Sequence, residues 1–521
     1  MPSFTVTTSR AREKERPSTI EVESQKKIGL WMLKVGFTSK LYPLIKFDWR
    51  NELQRRYVTL SFVQHSSQWS SATPSHLLQV LDTLVHMAMN TPPLSPSTET
   101  IQEEISRNLL SLARIPLAEF LEYFEEKEEY RYSFEPGPNY DYDGGAANLD
   151  EEVASNRKVI RQRLAQLHTL SGLTLSDFTR QRRFRTRGFV YDMSNYCEHT
   201  SWGPFISKTL TLNSQTEGDK ELDTLGVNWE HILAVQHIMA MHVIAPSFSS
   251  DIPLDEDENE EPPDIYAALG IHEDDQHNVA YRERMNTRQN IVTQPQSHQN
   301  PQLSRRLSML PYCQTQRTTQ ANTLDWAGVA GSYTCSFCFV DHRELLAYNS
   351  SHLRLSQLPP PPPSAPRKGA TFNFSTEVFR SFPVYLKFVG TEPNPGGRLP
   401  KRPRILFEGR LGVRGRRANI DEDTEEDGGG QIMSGWVGIE GEPGEEFIHW
   451  SFTSGDNGEM IWASEGVQVG PVQSTFGVLG TWTTVFHDEG DPVGPFWLRK
   501  PGKLGVSLGT RSRRSVLWSV Y

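Results

Sequence analysis

Cysteine is scarce, with four residues (Cys197, Cys313, Cys335 and Cys338) in a chain of 521. So few thiols cannot supply the disulfide framework of a small secreted scaffold, and the expected setting is intracellular, cytoplasm and/or nucleus. Long apolar runs are missing as well. No stretch approaches the ~18–20 consecutive apolar residues that a bilayer-spanning helix needs. The polar, basic start MPSFTVTTSRAREKERPS carries no apolar core of a secretory signal. No membrane is expected as a partner. Apolar residues amount to only 36% of the chain, and mean hydropathy is −0.53. Part of the sequence is therefore expected to stay outside any packed core. Basic charge is outweighed, 53 Lys and Arg against 64 Asp and Glu, for a net −11. Such a field repels nucleic acid, which is not expected as a partner either.

Several signatures of chemistry are absent too. The chain has no Walker loop, no GxGxxG and no HExxH. Its one CxxC, Cys335–Cys338, has no second pair to complete a tetrahedral site. On a strand, residues three apart point to opposite faces. Both thiols are read as core, and neither metal nor cofactor is expected. HDEGD gathers His487, Asp488, Glu489 and Asp491, but beside Gly490 and Pro492, the composition of a solvated hairpin turn. That cluster is the only basis for an enzyme, and a non-catalytic protein is the expectation.

What is present falls into blocks. Residues 1–27 read as a disordered tail, and 28–135 as a helical region. Apolar spacing predicts helices over His76–Met89, Ile101–Phe124 and Val153–Leu170, with Leu77, Val80, Leu81, Leu84 and Met87 on one stripe of the first. Residues 150–246 read as a mixed α/β bracing segment. Its aromatic FRTRGFVYDMSNYCEHTSWGPF looks strand-like, and VNWEHILAVQHIMAMHVI reads as an amphipathic helix capped by Asn228. Residues 247–324, acidic and then rich in Gln, Asn and Ser, read as a disordered linker. Ser308 follows Arg305 and Arg306 there, a candidate phosphosite.

From residue 325 to 521 the character is all β: SYTCSFCFV, VYLKFVG, ILFEGRLGV, GWVGIEG, FIHWSFTS, EMIWASEGVQV and TWTTVFH alternate and are separated by turn signals. The pattern predicts an antiparallel β-barrel or sandwich, with insertions near 354–368 and 417–432. The whole chain is thus α+β. Trp326, Trp436, Trp450, Trp462, Trp482 and Trp497 fall in this block. Most are expected to fill the barrel, while Trp462, Gln468, Trp482 and His487 are candidates for a pocket or a target-binding surface. Arg398, Lys401, Arg402, Arg404, Arg410, Arg414, Arg416 and Arg417 precede the acidic Asp421–Asp427 run, a solvated loop or an anion-binding patch.

The run from WAGVAGSYTCSFCFVDHRELLAYN (Trp326–Asn349) through FEGRLGV to GWVGIEG…EGVQVG…GVLGTWT…GPFW resembles the C-terminal domain of a large group of fungal F-box proteins. VYDMSNYCEHTSWGPF and VNWEHILAV resemble the segment that precedes it. The resemblance implies a substrate-recognition adaptor of an SCF-type ubiquitin ligase, whose F-box grips the Skp1 adaptor of a cullin assembly while the β domain binds an unknown protein substrate. DWRNELQRRYV (Asp48–Val58) looks like the tail that closes many F-boxes, so residues 28–58 are a possible degenerate or truncated box and Trp49, Leu53 and Tyr57 its candidate Skp1-docking residues. An alternative expectation comes from WAGVAGSYTCSF (Trp326–Phe337), which resembles the opening of lipocalin-like barrels that carry small molecules, with Trp326 closing one end.

Overall fold

A computed structural model describes residues 49–90, 106–132, 151–210, 222–244, 309–313, 324–350, 377–394, 402–412, 431–442, 444–456 and 459–500. The chain divides into two units, Met1–Tyr57 and Val58–Tyr521. In the first, the opening turns of helix α1 (Trp49–Gln64) hold Glu52 between Arg55 and Arg56, each at 2.6 Å.

In the second unit, helix α2 (Pro74–Met89) starts where Thr73 accepts from the His76 N–H at 3.3 Å, and its expected stripe is buried throughout. The helix expected over 101–124 is in fact two, α3 (Arg107–Leu112) and α4 (Leu117–Glu125). Pro116 separates them, because its ring excludes the carbonyl four residues back and it has no N–H to donate. Residues 101–105 lie outside the described part. Helix α5 (Glu151–Ser171) matches the apolar period read there.

The strand-like reading of the aromatic stretch after Arg183 is corrected. Residues Arg180–Val190 form helix α6, two 3₁₀ turns follow, and extended structure begins only at Phe205. The Thr179 hydroxyl accepts from the Arg182 N–H at 3.2 Å, and a run of straight-chain Arg and Gln side chains then sustains the helix. Strands β1 (Phe205–Leu210) and β2 (Leu222–Val227) pair as a hairpin leading to helix α7 (Trp229–Ile244). Asn228 caps α7 as expected, accepting from the His231 N–H at 3.2 Å. The helix is not amphipathic in place, however. Residues 229–241 are buried all round, because α5 and α6 cover one side and the barrel the other. No helix among the described residues is long and apolar enough to cross a membrane.

Eight strands form the C-terminal part: β3 (Gly331–Phe339), β4 (Val378–Glu392), β5 (Arg404–Leu411), β6 (Gln431–Glu440), β7 (Phe447–Asp456), β8 (Glu459–Val469), β9 (Gly477–Thr484) and β10 (Gly494–Arg499). Each pairs antiparallel with the next, and β10 closes on β3, Phe496 opposite Phe337. The result is a closed up-and-down barrel. Helix α8 (His342–Asn349), capped by Asp341, lies in the β3–β4 connection. Alternation sends Tyr333, Leu386, Phe407, Met433, Trp450, Phe452 and Phe496 inward. Outward from the same wall, Cys338, Val467, Val469, Leu479 and Trp497 join one continuous core with α2, α4, α5 and α7. Within the segment read as linker, Met309, Leu310 and Cys313 belong to that core, the Met309 N–H donating to the Ser171 carbonyl at 2.9 Å and Cys313 being fully buried. The site Ser308 and the insertions near 354–368 and 417–432 lie outside the described residues, except that 431–432 already belong to β6.

Candidate functional site

An eight-stranded barrel is just wide enough to be filled by side chains or to hold one small ligand. Here rings run through the interior in near contact. Tyr333 lies 6.2 Å from Trp450, Trp450 5.6 Å from Phe407, Phe407 6.5 Å from Phe452, and Phe452 5.3 Å from Phe496, centroid to centroid. Glycines make room for them. Gly466 and Gly480 sit opposite each other on β8 and β9, and a methyl on either would fall 2.9 Å or less from the Phe496 ring. The polar edges are satisfied within the wall. Trp450 donates its indole N–H to Gln468 at 3.3 Å, Trp482 to the Cys338 carbonyl at 3.1 Å, and Tyr333 its hydroxyl to Val329 at 2.8 Å. Burying one such ring removes roughly 150–250 Å² from water, about 4–6 kcal/mol gross at about 25 cal/mol per Å².

The four residues nominated in the β block do not form one site. Trp462 and Trp482 meet edge-on, 5.3 Å apart, at the end of the barrel where β8 begins and β9 ends. Trp462 is half-buried there, and Phe382 on β4 is 36% exposed. Gln468 lies at the opposite end, buried, with its amide donating to the Pro471 carbonyl at 3.2 Å. His487 is outside the barrel in the β9–β10 turn, stacked on Trp202 at 3.9 Å. In the same turn Asp491 accepts from the Thr484 hydroxyl and from the Asp488 N–H, as a turn-capping carboxylate does. Trp326 lies at the Gln468 end, half-buried against the barrel core, its indole N–H donating to the Pro403 carbonyl at 2.8 Å. Of the basic cluster, Arg404 lies 3.8 Å over the Trp436 ring and Arg402 5.5 Å from Trp326. The CxxC thiols part as strand geometry requires: Cys335 packs inside the barrel and Cys338 outside it. On α1, Trp49, Leu53 and Tyr57 recur every fourth residue, with Tyr57 75% exposed.

Sequence reasoning missed three buried charge clusters outside the barrel lumen. Glu377, just before β4, accepts from Arg187 (2.8 Å), from the Tyr191 hydroxyl (2.8 Å) and from His242 (2.6 Å). Burial alone would raise its carboxyl, but those partners hold it down at about 2. His449 on β7 bridges Glu440 (2.9 Å) and Glu465 (2.6 Å). Burial opposes its charge, yet the two carboxylates raise it to about 9. His168 on α5 bridges Glu125 and Asp177, each at 2.9 Å, while Arg182 reaches the same pair. Burial again opposes the charge, and the two acids raise His168 to about 10. A parity signal for His449 exists: it alternates with inward Ile448 and Trp450, so it must face out beside Glu440 and Glu465. Glu377 has none, since its partners lie 135 to 190 residues away in sequence.

No family model, no curated protein and no solved structure matches the chain. The site is therefore read from its own geometry.

Proposed function

We propose that this is a non-catalytic recognition protein, an F-box-like substrate-recognition adaptor of an SCF-type ubiquitin ligase. The observation that carries this reading is the filled barrel interior, in which Trp450, Phe407, Phe452 and Phe496 are each 2% exposed or less. A lumen occupied by its own rings leaves recognition to the outer surface and the loops, as in a protein that binds another protein. The core that helices and barrel share from Val58 onward supports it further, because it holds the outer face and loops of the barrel in a defined arrangement on the helices of that unit. Ubiquitin transfer itself would be done by those partners.

The test is association of the full chain with purified Skp1. Retention by Skp1, weakened by Leu53→Ala together with Tyr57→Ala, is the expected result. No association of the full chain, and none after an intact F-box is placed upstream, would remove the ligase role. A lipocalin-like carrier is the second reading, favoured by the half-buried Trp462 and the exposed Phe382 at one end of a closed eight-stranded barrel. Titration of tryptophan fluorescence with hydrophobic ligands or haem separates the two. Saturable quenching that is lost in Trp462→Ala would favour the carrier.

A further inference from the structure

Cys338 leaves the barrel wall toward α7, and there it meets donors that no spacing in the sequence announces. Its sulfur lies 3.7 Å from the thioether of Met239. Its Sγ, a ring nitrogen of His242 and a carboxylate oxygen of Glu377 all lie within 4.8 Å of one another. Met239 and His242 are one turn apart on α7, so they project from one face of the helix. Met239 and Cys338 are fully buried and the Glu377 side chain is 2% exposed, whereas His242 is 24% exposed. The imidazole thus connects a dry sulfur pair to solvent.

From this arrangement we propose that Met239, His242 and Cys338 form a binding site for one soft monovalent cation, copper(I), with Glu377 as its outer carboxylate. Three arguments select that ion. The thiolate and thioether are soft donors, which with an imidazole suit copper(I) and exclude magnesium and calcium. Charge decides against zinc. Glu377 is already neutralised by Arg187 at 2.7 Å, so a thiolate with a divalent ion would leave a net positive charge buried beside a guanidinium. A thiolate with a monovalent ion sums to zero. Reach is the third argument. Metal–ligand bonds of about 2.0–2.3 Å set three donors in a plane around one ion roughly 3.5–4 Å apart. Cys338 and Met239 already stand 3.7 Å apart, and Cys338 and His242, within 4.8 Å, need to close by about an ångström, which a turn of the His242 side chain supplies. On binding, the Cys338 S–H bond breaks and its proton leaves to solvent as the sulfur–metal bond forms; no electron is transferred. His242 turns its nitrogen from Glu377 to the ion, and Glu377 stays satisfied by Arg187 and Tyr191.

The experiment titrates the full chain with copper(I), held reduced by a chromophoric chelator, in a Cys197→Ser background that removes the exposed thiol. One equivalent competed from the chelator, with a rise in Tm, is expected. Met239→Leu and His242→Asn should each weaken it at least tenfold and Cys338→Ser abolish it, while Cys335→Ser, the lumen thiol, leaves it intact. Circular dichroism checks that each variant is folded, and the Met239 and His242 variants keep the test open if a cysteine variant fails to fold. The site is overturned if no equivalent binds, if Met239→Leu and His242→Asn bind as the parent does, or if binding follows Cys335. Tighter retention of zinc than of copper(I), with the same Cys338 dependence, overturns the choice of ion. None of these outcomes depends on Skp1.

Discussion

At the scale of residues, Gly480 shows how little freedom the lumen leaves. A Cβ there would lie 2.1 Å from the Glu465 carbonyl oxygen and 2.5 Å from the Gly466 Cα, both main-chain atoms that cannot rotate away. Gly480→Ala is expected to destabilise by about 1–3 kcal/mol, the usual cost of overpacking, in urea unfolding. Gly390→Ala, with nothing within 4 Å of the added methyl, is the control and should fall within about 0.5 kcal/mol of the parent. Buried histidines set the pH profile. His449 and His168, raised to about 9 and about 10 against burial by their paired carboxylates, contribute stability that is complete below the unfolded imidazole value of about 6.5. That contribution declines as pH rises through 9 and 10. His231 and His237 run the other way, lowered by burial to about 3, and their contribution is lost as pH falls from about 6.5 toward 3. Stability is therefore expected to peak near pH 6.5, with up to about 1.4 kcal/mol per pH unit for each histidine on either flank. Denaturation midpoints from pH 4 to 10 would show it, and His449→Gln should flatten the alkaline side. A monotonic profile would contradict it.

At the scale of elements, the join between α6, α7 and the start of β4 depends on one carboxylate. Glu377 is 2% exposed and Arg187 10%, so Glu377→Ala removes a buried carboxylate that is paired at 2.7 Å with a buried guanidinium. A loss of about 3–5 kcal/mol is expected by thermal or chemical denaturation, with Glu377→Gln intermediate because its amide oxygen still accepts. This join also marks where the sequence stopped being legible. The strands were readable because each alternates inward and outward over its own length, as FIHWSFTS does. The stripe of α2 was readable for the same local reason. The stretch Phe184–Phe205 reads as a strand from its aromatic content, whereas Thr179, a single capping residue upstream, commits its first part, to Val190, to a helix, and two 3₁₀ turns follow before Phe205. Pro116 is the local signal for the break in the second helical pattern. Glu377 carries no local pattern at all, and only closure of the fold brings Arg187, Tyr191 and His242 to it. The nominated quartet failed to converge for a related reason. Strand order fixes that Trp462 and Trp482 share one end, but the sequence alone did not say that Gln468 would lie at the other.

At the scale of the molecule, helices and barrel from Val58 onward share an apolar core, in which Val467, Val469, Leu479 and Trp497 face the helices. The barrel alone, residues 324–500, would expose that face as a contiguous apolar patch. It is expected to bind a hydrophobic dye and self-associate, while residues 58–500 remain monomeric with a single cooperative transition by light scattering and calorimetry. A monomeric, cooperatively melting 324–500 fragment would show that the shared core is dispensable.

Closure of β10 on β3 limits how a target would be held under the proposed recognition role. A ring of eight strands has no free margin, so a peptide cannot be captured by adding itself to the sheet through main-chain hydrogen bonds. The same closure denies the barrel a template for strand-to-strand aggregation. Whatever the barrel holds must be recognised through side chains and connecting loops. Under the proposed role, specificity would change by substitution at the surface without rewriting any backbone pairing beneath.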